Sequence, residues 1–372
     1  MANRVLQKAK MAQQDEFYTQ YADIQTEINA YLEYDPDTFR GKTVLLPCDD
    51  PEWSNFTRFF AENFSALGLK KLISTSYAPD TKREKYGVLF DWADGDIDKS
   101  RGRILVLDHD ITGDGKVNFE DIEWEYLNGD GDFRSEEVKN LRDEADIIVT
   151  NPPFSLFREY FAWLIDSGKH FIYICNKNCV TYKEVFPYIK RNQVWLGATP
   201  QSRDLIFRIP DETAKQFLSD EQAMKGSKYK IVGGEIFGRS AAVWMTNLEH
   251  GRHHQPLQLM TMADNRKYSR HKEVKGVGYR KYVNYDAIEV PFTDAIPSDY
   301  DGVMGVPISF LDKYCPEQFV IVGISLELAN MKPIRERLGK LDGGPRLYTE
   351  QDGKLVRQYE RILIKRRIGE GL

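Results

Sequence analysis

The chain has 372 residues and a net charge of −6, with 41% hydrophobic and 12% aromatic residues. This length and apolar content predict a globular protein of two domains, or of one large domain with an appendage. The sequence has no apolar run of the ~18 residues that a membrane helix needs, and its basic start lacks the apolar core of a secretory signal. Four scattered cysteines exclude a disulfide framework, so we expect a reduced cytoplasmic protein.

The first predicted elements are helical. A basic amphipathic helix is expected at the start of the chain, followed by the segment Asp15-Glu-Phe-Tyr-Thr19. The apolar spacing then predicts a second helix from about Ile24 to Tyr34, which ends before Pro36.

A strand at 42–46 is followed by a turn, and Pro51 suits the first position of a helix capped by Asp50. That helix stops at Gly68, and a second strand follows at 71–77. Strand, helix and strand within about 35 residues predict a parallel βαβ unit. The unit has no GxGxxG sequence, so the dinucleotide fingerprint is absent.

Residues 78–145 are interpreted as an insertion that starts with a hairpin of 86–90 and 103–107. A stretch from 110 to 121 has oxygen-bearing residues at five positions of a calcium-loop pattern, with glycine at the sixth position. A strand precedes it where a calcium loop would follow a helix, so an Asx/Gly turn is favoured and calcium is the alternative. The candidate ligands are Asp110, Thr112, Asp114, Asn118 and Asp121.

The most informative stretch is Asp146-Ile-Ile-Val-Thr-Asn-Pro-Pro-Phe154. Its apolar and β-branched run predicts a strand buried on both faces, and Asn151-Pro-Pro ends that strand before a helix at 155–166. A polar amide, two prolines and an aromatic ring therefore lie at the carboxyl end of a buried strand. In open α/β sheets, ligands bind at this edge.

The alternation of strands and helices continues after this stretch. Strands are predicted at 170–175, 193–197 and 241–246, with a helix at 182–191 and a polar excursion at 199–240. From about 250 the alternation fades into short β-like pieces. The pattern as a whole predicts an α/β fold with a mostly parallel sheet.

A basic stretch runs from Gly251 to Tyr285, with eight lysine or arginine residues against two acids. Such a segment suits a negatively charged partner, and a solvated charged surface is the alternative interpretation. Its cations are Arg252, Arg266, Lys267, Arg270, Lys272, Lys275, Arg280 and Lys281.

The Asn-Pro-Pro-Phe sequence has a specific chemical logic. The amino nitrogen of adenine is a poor nucleophile because its lone pair is delocalised into the ring. Two fixed acceptors, the Asn151 side-chain oxygen and the Pro152 carbonyl, would favour a more tetrahedral nitrogen, and such preorganised dipoles accelerate reactions. Phe154 could stack on the planar base, which would have to leave a duplex to reach this turn.

This stretch resembles motif IV of S-adenosylmethionine-dependent adenine-N6 methyltransferases. Asp15-Glu-Phe-Tyr-Thr19, Pro47-Cys-Asp-Asp-Pro51, Ser54-Asn-Phe56, Gly131-Asp-Phe-Arg-Ser135 and Asp299-Tyr-Asp-Gly302 extend the similarity to nearly the whole chain. In this combination and order they are similar to the EcoRI-type adenine-specific DNA methyltransferase family.

The resemblance implies roles for residues that match its motifs. Asn151 and Pro152 would hold the target amine, Pro153 would fix the turn, and Phe154 would stack on the flipped adenine. The methionine end of the cofactor S-adenosyl-L-methionine would lie beside the motif at 15–19, and its amino-acid part would contact the motif at 47–51. Its adenine amine would bind Asp132, and its adenine ring would pack on Phe133. The implied cofactor residues are Phe17, Tyr18, Thr19, Pro47, Asp49, Asp50, Asn55, Asp132 and Phe133. The strand at 71–77 ends in Ser74-Thr-Ser-Tyr77 and has no acid there to bind the ribose, so that contact is unassigned.

The family also implies the fold and the partners. We expect a Rossmann-like class I methyltransferase fold in residues 1–249, with the insertion at about 78–145, and a mixed α+β DNA-recognition region in 250–372. The basic stretch would contact DNA phosphates and some base edges.

We therefore expect a site-specific adenine-N6 methyltransferase of duplex DNA, acting as a monomer away from membranes and without a metal. A cognate restriction endonuclease is a candidate partner, and the sequence does not say whether one exists. Methylation of RNA or of a protein glutamine, and DNA binding without catalysis, are the alternatives.

Overall fold

The computed structural model describes residues 18–52, 54–78, 100–114, 117–200, 205–208, 229–232, 235–339 and 343–367. The chain divides into two compact units, one of Met1–Cys179 with Leu196–His250 and one of Val180–Trp195 with Gly251–Leu372. The functions that we expect on either side of residue 250 stay predictions. Within the described ranges, no helix is both long and apolar enough to cross a membrane.

The described strands, in chain order, are β1 (Tyr18–Thr19), β2 (Thr43–Leu46), β3 (Lys71–Thr75), β4 (Arg103–Leu107), β5 (Trp124–Tyr126), β6 (Ile147–Thr150), β7 (His170–Asn176), β8 (Trp195–Leu196), β9 (Leu205–Arg208), β10 (Tyr229–Val232), β11 (Glu235–Ser240), β12 (Ala242–Thr246), β13 (Ile288–Glu289), β14 (Met304–Pro307), β15 (Phe319–Ile324), β16 (Tyr348–Gln351), β17 (Lys354–Arg357) and β18 (Arg361–Arg366). The described α-helices are α1 (Tyr21–Tyr34), α2 (Asn55–Glu62), α3 (Phe64–Leu67), α4 (Glu136–Glu144), α5 (Phe157–Ser167), α6 (Phe186–Lys190), α7 (Met262–Tyr268), α8 (Ser325–Leu328) and α9 (Lys332–Leu338).

The largest sheet has eight strands in the order β5-β4-β3-β2-β6-β7-β12-β8. Its four central strands, β3, β2, β6 and β7, are parallel, as the βαβ pattern predicts. Strands β4, β5 and β12 are antiparallel to their neighbours. The fold is therefore α/β with a mixed sheet, and the expectation of a mostly parallel sheet holds only for its centre.

The central strands are buried because helices cover the sheet. Every residue of β2 and of β6 is buried. Helix α2 presents Phe56, Phe59 and Phe60 to the same core as the apolar side chains of β2. The carboxyl ends of β2, β3 and β6 therefore form a rigid edge, which is where the candidate site lies.

Two helices differ from the sequence prediction. Helix α2 is capped by Ser54, whose hydroxyl accepts from the Phe56 N–H at 3.1 Å, so the expected cap at Asp50 is wrong. The Asp50 carboxylate instead accepts from the Glu52 N–H at 2.9 Å and closes an Asx turn. Helix α4 was missed inside the presumed insertion because only Val138 of its nine residues is buried.

The predicted polar excursion at 199–240 also contains regular structure. Strands β9, β10 and β11 join β1 in an antiparallel sheet of four strands with the order β1-β9-β11-β10. Thr19 in β1 pairs with Phe207 in β9. This sheet holds Thr19 on the backbone of a second segment, although neither segment has the long apolar run that signals a buried strand.

The second unit contains helices and two small sheets. Strands β13, β14, β18 and β15 form one sheet in that order, and β16 pairs with β17. An ion pair is buried within this unit, with Arg361 Nη2 2.6 Å from Glu289 Oε1. The Tyr282 hydroxyl donates to the other Glu289 oxygen, so the buried carboxylate is satisfied from two sides.

A buried carboxylate on α1 fixes the loop that follows β8. Glu27 accepts from the backbone N–H groups of Ala198 and Thr199, each at 2.7 Å, and from the Tyr31 hydroxyl at 3.0 Å. A Cβ at Gly197 would lie 2.2 Å from the carboxylate, so only glycine permits this approach. Burial raises the pKa of Glu27, and the hydrogen bonds oppose that shift.

We predict that Glu27→Gln destabilises the protein by about 1–3 kcal/mol, because the amide nitrogen would face a backbone N–H that needs an acceptor. The measurement is urea denaturation, with Glu33→Gln on an exposed part of the same helix as the control. Equal stability of the two variants would contradict this role of Glu27.

Candidate active site

The side chains after β2 and β6 meet at the carboxyl edge of the sheet. Asp49 follows β2 and is buried, and its Oδ2 accepts from the Thr150 hydroxyl at 2.7 Å. Its Oδ1 accepts from the Ser54 hydroxyl at 2.8 Å. The backbone carbonyl of Asp49 accepts from the Ser74 hydroxyl at 2.6 Å. One residue therefore links the ends of three parallel strands to the start of α2.

Thr19 lies between two asparagines of the candidate site. The Asn151 amide nitrogen is 3.4 Å from the Thr19 hydroxyl oxygen, and the Asn55 amide donates to the Thr19 carbonyl at 2.8 Å. Three residues predicted from separate motifs are therefore in contact. Phe17 lies outside the described residues, and Tyr18 is described only by its backbone pairing with Arg208.

The Asn-Pro-Pro-Phe turn continues directly into helix. Pro152 is buried, whereas Asn151, Pro153 and Phe154 are half-buried. Residues Phe154–Leu156 form a 3-10 turn that leads into α5. The Phe154 ring packs partly against the hydrophobic core, so the core limits its freedom to move.

The turn at 47–52 has a charged neighbour that sequence reasoning missed. Pro47 is buried, and Asp50 is half-buried. The Arg103 guanidinium lies 2.9 Å from Glu52 and 3.9 Å from Asp50, and it stacks 4.3 Å from the Trp124 ring centroid. Arg103 is buried at the start of β4, so its cation partly balances the acids of the turn.

The segment 129–135 packs against the end of β3. Gly131 has φ +77°, and a Cβ there would lie 2.1 Å from the Ser76 carbonyl oxygen, so glycine is required. Asp132 accepts from Arg134 at 2.9 Å through Nε and at 2.6 Å through Nη2. Its side chain is 15% exposed. This hydrogen bonding with Asp132 is the main cause that raises the pKa of Arg134.

Phe133 is more enclosed than its predicted role suggests. The ring is 5% exposed and makes edge contacts with Tyr160 and Trp163 of α5, at centroid distances of 5.1 and 5.8 Å. The packing of this ring on the cofactor stays a prediction. Burial raises the pKa of the Tyr160 hydroxyl well above its usual value, so this phenol is neutral.

The end of β3, where the resemblance would place the cofactor ribose, has hydroxyls instead of acids. Ser74, Thr75 and Ser76 at the end of β3 are all buried. Ser74 bonds to Asp49 and to Thr57, and Ser76 accepts from the Arg103 N–H. The contact with the ribose therefore has no assigned acid within the described part of this strand end.

The basic stretch of the second unit is well structured. Helix α7 is capped by the Thr261 hydroxyl, which accepts from the Asp264 N–H at 3.0 Å. The Gly276 N–H donates to the Arg266 carbonyl at 2.8 Å, which folds the following turn back onto the helix. Six of the eight predicted cations are exposed: Arg266, Lys267, Arg270, Lys272, Lys275 and Lys281.

The remaining cations are less accessible. Arg252 forms an ion pair with Asp312 at 2.6 Å and is 20% exposed, which makes it less suited to a phosphate than the exposed set. Arg280 is half-buried. Arg270 is exposed but contacts Asp294 at 2.7 Å.

The loop at 110–121 uses its acids as hydrogen-bond acceptors. Asp121 accepts from the N–H groups of Ile111 and Thr112, both at 2.8 Å, and from that of Asn118 at 2.9 Å. Asp110 accepts from the Gly113 N–H at 2.6 Å, in the manner of an Asx turn. These bonds fix Asp110 and Asp121 within the loop. Calcium binding by these two residues with Thr112, Asp114 and Asn118 stays the alternative prediction.

Sequence comparisons agree with the motifs. A family model described as "Adenine-specific methyltransferase EcoRI" matches residues 5–367. The chain is 41% identical over 328 residues to Type II methyltransferase M.EcoRI of Escherichia coli, covering 86% of this chain and 89% of that protein. It is 32% identical over 368 residues to Type II methyltransferase M.MpnI of Mycoplasma pneumoniae, covering 97% of each chain. No solved structure matches the chain.

We predict that Asp121 stabilises the fold above about pH 4. Backbone hydrogen bonds, first that of Thr112, lower the pKa of Asp121 from 3.8 to about 2. A carboxylate whose pKa is lowered by folding stabilises the folded state at pH values above its pKa in the unfolded chain. That stabilisation is lost as the pH falls from 3.8 towards about 2. Asp121→Asn should therefore flatten the acid side of the stability–pH curve, measured by urea denaturation. Exposed Glu120→Gln is the control, and parallel curves for Asp121→Asn and the wild type would contradict the prediction.

Proposed function

The chain belongs to the EcoRI family of adenine-specific methyltransferases and is a DNA methyltransferase, and from this premise we propose how its residues act. The proposed reaction moves a methyl group from S-adenosyl-L-methionine to N6 of an adenine flipped out of duplex DNA at one specific sequence. The observation that carries it is the contact of Asn151 with Thr19, which brings the amine motif beside the first cofactor motif.

In this proposal the protein works mainly by positioning. The Asn151 amide oxygen and the Pro152 carbonyl accept from the two hydrogens of N6, and the lone pair of the nitrogen then points towards the methyl group. Pro153 fixes the turn, and Phe154 stacks on the base. The transfer is a direct displacement at carbon, so alignment of the reacting atoms provides much of the rate enhancement.

The residues of the edge suit the proposed cofactor. Asp49, Asp50 and the carbonyl of Thr19 offer acceptors to the ammonium of its amino-acid part, with Pro47 and Asn55 shaping the turn. Asp132 is partly exposed and held by Arg134, so its carboxyl group offers an acceptor to the adenine amine. When bound, S-adenosyl-L-methionine supplies an electrophilic methyl group on a sulfonium.

The exposed cations of the basic stretch are the proposed DNA contacts. Arg266, Lys267, Lys272 and Lys275 lie within ten residues on a capped helix and its return turn. Lysine and arginine contacts to phosphates provide affinity, whereas base-edge contacts provide sequence specificity. Action as a monomer and a cognate restriction endonuclease remain part of the proposal. Mapping N6-methyladenine across the genome of an expressing host would test the activity and give the recognition site.

We predict that Asn151→Ala lowers methyl transfer to duplex DNA by about 10²-fold or more, as loss of a key preorganised dipole does. Cofactor affinity should change little, because the proposed partner of the lost amide oxygen is the target amine and the lost contact with Thr19 is long, at 3.4 Å. Transfer is measured with labelled cofactor, and binding by calorimetry. Asn140→Ala, at an exposed position of α4, is the control. Near-normal turnover of Asn151→Ala would refute the proposal that Asn151 holds the target amine.

We predict that Lys272→Gln with Lys275→Gln weakens DNA binding and reduces the slope of log affinity against log salt by about 0.9 per lost phosphate contact. The methylation rate at saturating DNA should stay close to that of the wild type. A matched control neutralises Lys332 and Lys354, which are exposed outside the basic stretch. An unchanged salt slope in the first variant would exclude these lysines from the interface.

A further inference from the structure

Thr150 is a buried hydroxyl that neither the family motifs nor the proposed mechanism uses. It is the last residue of β6, it is fully buried, and it directly precedes Asn151. The register of β6 with β7 pairs Thr150 with Tyr173, so the backbone at this point is held by the sheet. The side chain is held separately, through its 2.7 Å hydrogen bond to Asp49 Oδ2.

The acceptor of that bond belongs to the proposed cofactor turn. Asp49 is 6% exposed, and its second oxygen accepts from Ser54, whose hydroxyl caps α2. The turn at 47–55 is therefore joined to the end of β6 by a short hydrogen bond to a carboxylate. Such bonds are stronger than bonds between neutral groups, and a buried one is costly to lose.

The two segments joined in this way are those that must meet in the reaction. The turn at 47–55 is proposed to hold the methyl donor, and Asn151 the acceptor amine. We propose that Thr150 is a positioning residue. Its hydroxyl sets the distance between the methyl donor and the target amine by linking the end of β6 to Asp49. This inference rests on the proposed function and adds a residue that touches neither substrate nor cofactor.

A purely structural role of the Thr150 hydroxyl would have different consequences. Its loss would lower stability and leave the chemistry of the folded protein unchanged. A positioning hydroxyl instead affects the rate of the chemical step, because a displacement of about 1 Å costs on the order of 10²-fold. The binding of cofactor and of DNA should be largely spared in that case, because neither touches Thr150 and Asp49 keeps its hydrogen bonds from Ser54 and Ser74.

The experiment compares Thr150→Val, which keeps the shape and loses the hydroxyl, with Thr150→Ser, which keeps the hydroxyl. Single-turnover methylation of duplex DNA is measured at saturating S-adenosyl-L-methionine, with the affinities for cofactor and DNA and the melting temperature measured in parallel. We expect Thr150→Val to lower the rate by about 10–10²-fold with affinities within about threefold, and Thr150→Ser to stay within about threefold of the wild type.

Equal rates for the valine and serine variants would overturn the inference, and so would a loss of cofactor affinity that accounts for the whole loss of rate. If Thr150→Val does not fold, Thr150→Cys replaces it, because a thiol is a weak donor of similar size. A cysteine variant slower than the serine variant supports the inference, and equal rates overturn it. A wild-type protein that transfers no methyl group to adenine in duplex DNA would contradict the proposed function together with this inference.

Discussion

The carboxylate of Asp49 is the interaction on which the candidate active site depends. Its two oxygens accept from Thr150 and Ser54, and its backbone carbonyl accepts from Ser74. Parallel strands place their carboxyl ends at one edge, but they do not by themselves fix the loops that follow them. Here side chains supply that constraint, since strand ends and a helix start converge on one buried residue.

Side-chain hydrogen bonds of this kind suit the turn at 47–55, which lacks a glycine-rich loop. In glycine-rich sites, backbone N–H groups approach the ligand directly. At 47–55, a carboxylate, a serine hydroxyl and an asparagine amide define the turn instead, and Asn55 extends the network to Thr19. The acceptors that remain near the surface suit ammonium and amino groups. The same chemistry recurs at Asp132, where Arg134 orients the carboxylate.

The sequence predicted the parts of the fold that burial controls and missed those that polar contacts control. The parallel centre of the sheet followed from apolar runs such as Ile147–Thr150, which only a doubly covered strand explains. Helix α4 is mostly polar and only Val138 is buried, although Ser135 followed by two glutamates is a recognisable start signal. The sequence did not predict the cap at Ser54 because Asp50-Pro51 is an equally good local signal for the start of a helix. In the structure, the Asp50 carbonyl accepts from the Ser54 N–H, and the helix begins after Ser54. Thr150 could be noticed in the sequence, but its partner is 101 residues away, and only tertiary structure brings the two together.

The connectivity of the two units has a consequence for protein engineering. The chain passes from one unit to the other three times, after residues 179, 195 and 250. The short segment Val180–Trp195 contains α6, which packs against β15 more than a hundred residues later. A chimera cut only at residue 250 would therefore separate α6 from the sheet that it covers. Exchange of the second unit between relatives therefore requires two grafts. During synthesis, the last segment of the second unit is made only after the whole of the first unit.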